Sequence, residues 1–250
     1  MIRAITFDFW QTLYADNTEL LKQREVHRAI HCKEFLSKCN YQFTLEQVKH
    51  AYQMTHEMVA EAWQIHRGVS MGECISKFSE TLGINLTPFQ ANQVKSITGN
   101  STLLHSPPLV PFVKDLLPQL INKYQLGIIS DTGITAGTFL REMLKNDEIL
   151  DYFSVQTFSD ETGFTKPDIV QFKKTLEKMR INPSEAVHIG DLVRTDITGA
   201  KNAGMYAIRF AGVTTEQENT DLADATISDY RKLEDTIEKL MCSKYKGGFE

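Results

Sequence analysis

No run of the 250 residues approaches the roughly 20 consecutive apolar positions that a membrane-spanning helix needs. The long helical stretches are all interrupted by Lys, Glu, Gln or His. The opening residues, Met1-Ile2-Arg3-Ala4-Ile5-Thr6-Phe7-Asp8, lack the basic region, apolar core and small-residue cleavage site of an export signal. Cysteine is scarce, and Cys32, Cys39, Cys74 and Cys242 form no C-x-x-C pair. That spacing argues against zinc and, without an export signal, against disulfides, so a cytoplasmic chain with ordinary thiols is expected. Positive charge is also short. A net charge of -5 leaves no electrostatic footprint for nucleic acid or for an anionic membrane, and neither partner is expected.

What is present is alternation. Ile2 to Phe7 is short, apolar and β-branched, a buried strand that ends at Asp8. A helical region follows with no convincing strand. Asn17 to Asn40 carries apolar residues at rough helical spacing, and Thr44 with Gln47 three positions on forms a capping box for a helix reaching about His66. Met71 to Leu82 and Pro88 to Ile97 read as two more helices. Ser106-Pro107-Pro108 is rigid punctuation, after which strands and helices take turns. The strands are Leu126–Ile129, Phe153–Thr157, Ala186–Ile189, Met205–Phe210 and Ala225–Ile227; the helices are Val110–Tyr124, Ile134–Lys145, Ile169–Arg180, Thr195–Ala203 and Tyr230–Met241. This pattern predicts an α/β fold with a doubly wound parallel sheet, formed by residues 1–15 and 101–245, with a helical domain inserted at 16–100.

Polar groups stand directly after three of the apolar strands: Asp8, Ser130-Asp131-Thr132 and Gly190-Asp191. In open α/β sheets the site lies beyond the carboxyl ends of the strands, so adjacent strands would deliver these groups to one edge. Any one such cluster could simply mark the start of a loop. Three clusters, together with Lys166 in Gly163-Phe164-Thr165-Lys166-Pro167-Asp168, point to a site. Pro167 restricts the backbone around Lys166, and Asp168 is a natural N-cap for the next helix. One lysine there could balance clustered carboxylates and a phosphate.

These residues resemble the four motifs of the haloacid dehalogenase superfamily, which consists mainly of Mg²⁺-dependent phosphatases. The first motif matches Asp8-Phe9-Trp10-Gln11-Thr12-Leu13, the second Ser130, the third Lys166-Pro167 and the fourth Gly190-Asp191-Leu192-Val193-Arg194-Thr195-Asp196. The order and spacing fit from residue 1 to about 210, and the insertion at 16–100 resembles the family's cap domain. The resemblance implies a Rossmann-like sheet and a hydrolase of small phosphate esters. Asp8 would be the nucleophile, forming an aspartyl-phosphate that water hydrolyses. Asp8, Asp191, the Trp10 carbonyl and Asp196 would serve Mg²⁺, with Asp196 acting as a second-layer or water-mediated ligand. Ser130 and nearby groups, Asp131 among them, would hold substrate. Lys166 would neutralise charge, and Thr12 would fix the loop by hydrogen bonding.

One position departs from the pattern. Phosphatases of this kind place a second aspartate two residues after the nucleophile, to protonate the leaving group and activate water. Here that position is Trp10, and the help it forgoes is typically about 10² to 10⁴ in rate. Three accounts stand open: a cap residue supplies the proton (His27, His31, His56 and His66 are candidates), the substrate has a good leaving group, or the enzyme is not a phosphatase. The rivals are a metal-independent 2-haloacid dehalogenase using Asp8, and a catalytically weak phosphate-binding or regulatory protein. Asp191 speaks against the dehalogenase, because a buried carboxylate calls for a cation. His27 and His31, at i, i+4 spacing, are expected on a solvated face. Arg24 and Arg28 are conceivable anion clamps but are expected as solvent charges, and Trp63 is expected in the core.

Overall fold

The computed structural model describes residues 1–214 and 221–246. Six parallel strands form one sheet: β1 (Ala4–Phe7), β2 (Gln125–Ser130), β3 (Phe153–Phe158), β4 (Ala186–Gly190), β5 (Tyr206–Phe210) and β6 (Ala225–Ile227). Their spatial order is β3-β2-β1-β4-β5-β6. Chain order therefore reverses between β1 and β4, the switch point at which doubly wound sheets open a crevice. β1 is buried at all four positions, and β4 at all five, as expected of strands covered on both faces.

Among the described residues, ten α-helices surround or extend the sheet. α1 (Thr18–Lys38), α2 (Leu45–Gln64), α3 (Met71–Leu82) and α4 (Pro88–Leu104) follow β1 without an intervening strand. α5 (Val113–Leu120), α6 (Gly137–Asn146), α7 (Ser159–Thr162), α8 (Ile169–Met179), α9 (Thr198–Asn202) and α10 (Leu233–Lys246) belong to the alternating region. The expected caps are present. Thr44 and Gln47 bond reciprocally at the start of α2, Asp168 accepts from the Val170 N–H at α8, and Gly204 takes a left-handed φ of 83° after α9. α4 runs past its expected end at Ile97 to Leu104, and α7 was not foreseen.

Buried apolar residues fall into clusters that follow this division. Ile5, Phe7, Ile128, Val187 and Ile208 of the sheet pack with Leu117, Leu140 and Tyr230 on one face. Ala4, Ile129, Phe172, Leu176 and Ala207 form the layer on the other. Most of a third cluster lies in the insertion, where Cys32, Leu36, Val48, Phe78 and Val94 pack together, with Ile134 and Ala136 of the α/β region joining at its edge. All four cysteines are free thiols. Among the described residues, no helix is long and apolar enough to cross a membrane.

Candidate active site

β1 and β4 are in register from Ala4 with Ala186 to Phe7 with Ile189, and the Asp8 N–H donates to the Ile189 carbonyl at 2.8 Å. The two chains leave the sheet side by side at the switch point, which brings Asp8 next to Asp191. After β4 the backbone widens into a π-type turn, Val193–Ile197, a local geometry often found at functional sites. This turn folds Asp196 back against Gly190. A Cβ on Gly190 would sit 2.3 Å from the Asp196 carboxyl carbon, so only glycine admits this approach. Asp8, Asp191 and Asp196, all buried, each present an oxygen within 4.8 Å of the others.

Lys166 enters from the loop after α7, through a cis peptide to Pro167. Its ammonium lies 2.5 Å from Asp8 Oδ1 and 2.6 Å from Asp196 Oδ1. Asp196 is held further by His188 Nε2 at 3.3 Å and by the Leu192 N–H at 3.1 Å, while Thr6 Oγ1 engages His188 Nδ1 at 2.9 Å. Burial alone would raise the Asp196 pKa, but Lys166 and His188 outweigh it and hold this carboxylate far below its usual range. Asp8 behaves oppositely. Burial pushes its pKa up to about 7, with Lys166 opposing and Asp196 adding to the rise. The Asp191 pKa is pushed to about 8 by burial and by the charges of Asp8 and Asp196, with Lys166 opposing. Burial disfavours the Lys166 ammonium, yet Asp196, Asp8 and Asp131 together raise its pKa.

The donor set suits a hard divalent cation. Three carboxylates face one ammonium in a buried space, every donor is oxygen, and burial raises the pKa of two of the carboxylates, a penalty that a bound cation would offset. The Trp10 carbonyl accepts no hydrogen bond from the described residues, which leaves it open as a further oxygen donor.

The remaining predicted residues are placed less simply. Ser130 ends β2 fully buried, beside β1, with its hydroxyl 3.3 Å from the Asp131 carbonyl. The Asp131 carboxylate is turned to structural work. It accepts the Lys166 N–H at 3.0 Å and a hydrogen bond from Gln171 Nε2 at 2.7 Å, so it steadies the lysine segment. The Thr132 N–H is committed to Ser159 Oγ at 2.8 Å and is not available to a phosphoryl oxygen. Thr12 is buried, but its hydroxyl has no partner among the described residues; its carbonyl instead accepts the Tyr230 hydroxyl at 2.9 Å. The expectation that the Thr12 side chain fixes the loop by hydrogen bonding is therefore corrected.

Two further corrections concern the insertion. Arg24 and Arg28, expected in solvent, are both buried. Arg24 is ion-paired with Asp16, and its guanidinium carbon lies 5.7 Å from the centre of the Trp10 ring, within cation–π range. Trp63, expected in the core, is 40% exposed. Of the candidate proton donors, His56 is bonded to Arg28, while His27 packs against His31 and His105. Only His66 lies on the segment of the insertion that meets the lysine loop, and it does so through its backbone. The His66 carbonyl accepts the Thr165 N–H at 3.0 Å, and the Gly68 N–H donates to Gly163 at 3.0 Å, around a bridge between Arg67 and Phe164. This short antiparallel pairing ties the α2–α3 loop to the residue preceding Lys166. Sequence reasoning had no signal for it beyond the glycine itself.

Three buried carboxylates and a lysine thus meet at the switch point of a 3-2-1-4-5-6 sheet. The chain belongs to the haloacid dehalogenase-like hydrolases, whose family model matches residues 5–210. It is 38% identical over 110 residues to the glyceraldehyde 3-phosphate phosphatase of Methanothermobacter thermautotrophicus, a match covering 42% of this chain and 47% of that one. The chain spans about half the length of the curated relatives it matches. Its fold is that of a 2-haloacid dehalogenase from Pseudomonas syringae pv. Tomato (TM-score 0.69, 22% identity, 96% of this chain and 99% of that one). It is equally that of a phosphatase of the same superfamily from Thermococcus onnurineus (TM-score 0.66, 20% identity, 94% and 98% covered). The fold is thus common to both chemistries and does not choose between them.

Proposed function

We propose that the protein is a Mg²⁺-dependent phosphatase of small phosphate esters, with Asp8 as nucleophile. The observation that carries this reading is Asp191, a buried carboxylate beside Asp8 that forms no ion pair among the described residues. The relative that acts on glyceraldehyde 3-phosphate supports a small phosphorylated metabolite as substrate. Asp8, Asp191 and the Trp10 carbonyl would hold the ion, with Asp196 behind them. Bound there, Mg²⁺ would offset the repulsion between the Asp8 carboxylate and the phosphoryl group.

The chain's own groups then divide the work. The Asp8 carboxylate attacks phosphorus, and the bond to the leaving oxygen breaks. Lys166 places positive charge against the nucleophile and Asp196, and Asp131 sets its position through the Lys166 N–H. Ser130 Oγ serves the phosphoryl oxygens. Water attacks the phosphorus of the aspartyl-phosphate, releasing phosphate and restoring Asp8. Trp10 cannot protonate the leaving oxygen, so the reaction favours esters that leave readily. Residues 16–100 act as a cap that excludes water over the core formed by 1–15 and 101–245, and the enzyme works in the cytoplasm.

The second reading, metal-independent 2-haloacid dehalogenation through Asp8, is favoured by one feature, the absence of an acid at Trp10. Release of para-nitrophenol from its phosphate, with and without Mg²⁺ and alongside Asp8→Asn, tests the proposal. Turnover that needs Mg²⁺ and disappears in Asp8→Asn supports it. Absence of such turnover, with metal-free halide release from 2-chloropropionate, establishes the second reading; absence of both leaves a binding protein.

A further inference from the structure

α1 and α2 enclose a cavity of about 570 Å³, within the size range of small-molecule sites. No residue of the α/β core lines it, so it is separate from the Asp8 site. Its lining is cationic: Lys22, Arg28 and Lys49 face a single acid, Glu25. Arg28 is the unusual member. It is buried to 4% exposure, yet no carboxylate lies within 4.0 Å of it among the described residues, whereas its neighbour Arg24 has Asp16. A guanidinium carries five N–H donors, and among the described residues two of those of Arg28 are engaged: Nε to the Arg24 carbonyl at 3.1 Å and Nη1 to His56 Nε2 at 3.5 Å. The guanidinium carbon lies 5.8 Å from the centre of the Tyr52 ring. Burial and the Arg28 charge push the His56 pKa down to about 4, so this imidazole is neutral near pH 7 and acts as an acceptor.

Glu25 acts on the Arg28 charge only from a distance; a buried guanidinium with no directly paired carboxylate is costly, and the remedy such a group takes is a bidentate oxyanion. We propose that the α1–α2 cavity is a second ligand site that binds a small oxyanion with a flat or apolar body. Arg28 is the recognition group, Tyr52 packs against the body of the ligand, and Lys22 and Lys49 supply positive charge at the rim. Lys22 is unpaired among the described residues, and Lys49 is exposed and touches only Glu46 across one turn, so both are cheap to recruit.

Backbone amide chemical shifts test this on the whole chain in Mg²⁺, because they separate the two sites by location. Inorganic phosphate and benzoate are titrated separately; the first tests a phosphate and the second a carboxylate with a flat body. The proposal expects saturable shifts of the amides of 25–29 and 52–56 with at least one probe. Arg28→Met should weaken them by about tenfold or more, and Lys22→Ala with Lys49→Ala should weaken them several-fold without disturbing helix packing. Shifts around Ser130 and Lys166 report the Asp8 site and should be unchanged by these substitutions. The proposal is overturned if neither probe produces saturable shifts at 25–29 and 52–56 up to about 50 mM, weaker than any small-ligand site would need. Undiminished shifts in Arg28→Met, or, should that variant fail to fold, in the double lysine variant, overturn it equally.

Discussion

The Lys166 ammonium touches Asp8 at 2.5 Å while its own backbone N–H is held by Asp131 at 3.0 Å. One residue is thus fixed at both ends by carboxylates, one of them the proposed nucleophile. Replacing it with a neutral side chain of similar length, Lys166→Met, removes the one ammonium that, among the described residues, faces three buried carboxylates. The kcat for para-nitrophenyl phosphate should fall by about 10² to 10³, the loss expected when one charge-stabilising group is taken from a water-excluded site. A steady-state assay with folding checked by circular dichroism measures this.

The raised pKa values of Asp8 and Asp191 make stability depend on pH with a definite sign. Both carboxyls ionise near 3.8 in the unfolded chain but only at about 7 and about 8 in the metal-free fold. Between these limits the folded state binds more protons than the unfolded state. The contribution of these two groups is therefore fully present below about pH 4 and is lost as pH rises through about 7 to 8. A bound cation reverses the penalty by favouring the ionised forms. Thermal melts with EDTA and with Mg²⁺ should show a gap in Tm that is small at pH 5 and widens toward pH 8 and above.

The α2–α3 loop meets the lysine segment at a point where no side chain fits. A Cβ on Gly68 would lie 2.1 Å from the Ser159 carbonyl oxygen. Gly68→Ala should therefore separate the His66–Gly68 segment from Gly163–Thr165 and loosen Lys166. We expect kcat/KM to fall by about tenfold or more, as a displacement of about 1 Å can cost as much as 10². The loss of Tm should be small, because the loop lies outside the sheet. Kinetics and a thermal melt on the same preparation check both halves.

An indole at position 10 predicts a steep dependence on the leaving group. Without a general acid, alkyl phosphates should be hydrolysed about 10² to 10⁴ more slowly than aryl phosphates of similar size. Plotting log kcat/KM against the leaving-group pKa across a series of esters measures the slope. A flat plot would locate an acid elsewhere, with His66 the first to substitute.

These predictions rest on residues that were legible in the sequence to different degrees. Asp8 and Asp191 could be read because apolar β-branched strands end at them, and a parallel sheet carries such ends to one edge. Lys166 was legible through the rigid Thr165-Lys166-Pro167-Asp168 segment. Asp131 looked equally well placed, but the pattern does not say which way a loop carboxylate turns, and the Lys166 N–H and Gln171 claim it. Arg24 and Arg28 misled because α1 is polar on most of its surface, and their burial depends on Trp10 and Tyr52, residues distant in sequence whose rings they approach. The tether between Gly68 and Gly163 joins segments about a hundred positions apart through backbone atoms alone, which no side-chain pattern encodes.

The central claim is covalent chemistry on Asp8, and trapping the intermediate tests it most directly. The enzyme is mixed with substrate and Mg²⁺, quenched in acid during turnover, digested and analysed by mass spectrometry. The account predicts a phosphoryl group on the peptide containing Asp8, absent without Mg²⁺ and absent in Asp8→Asn. Turnover with no phosphorylated peptide, or with the phosphoryl group on another residue, would contradict it.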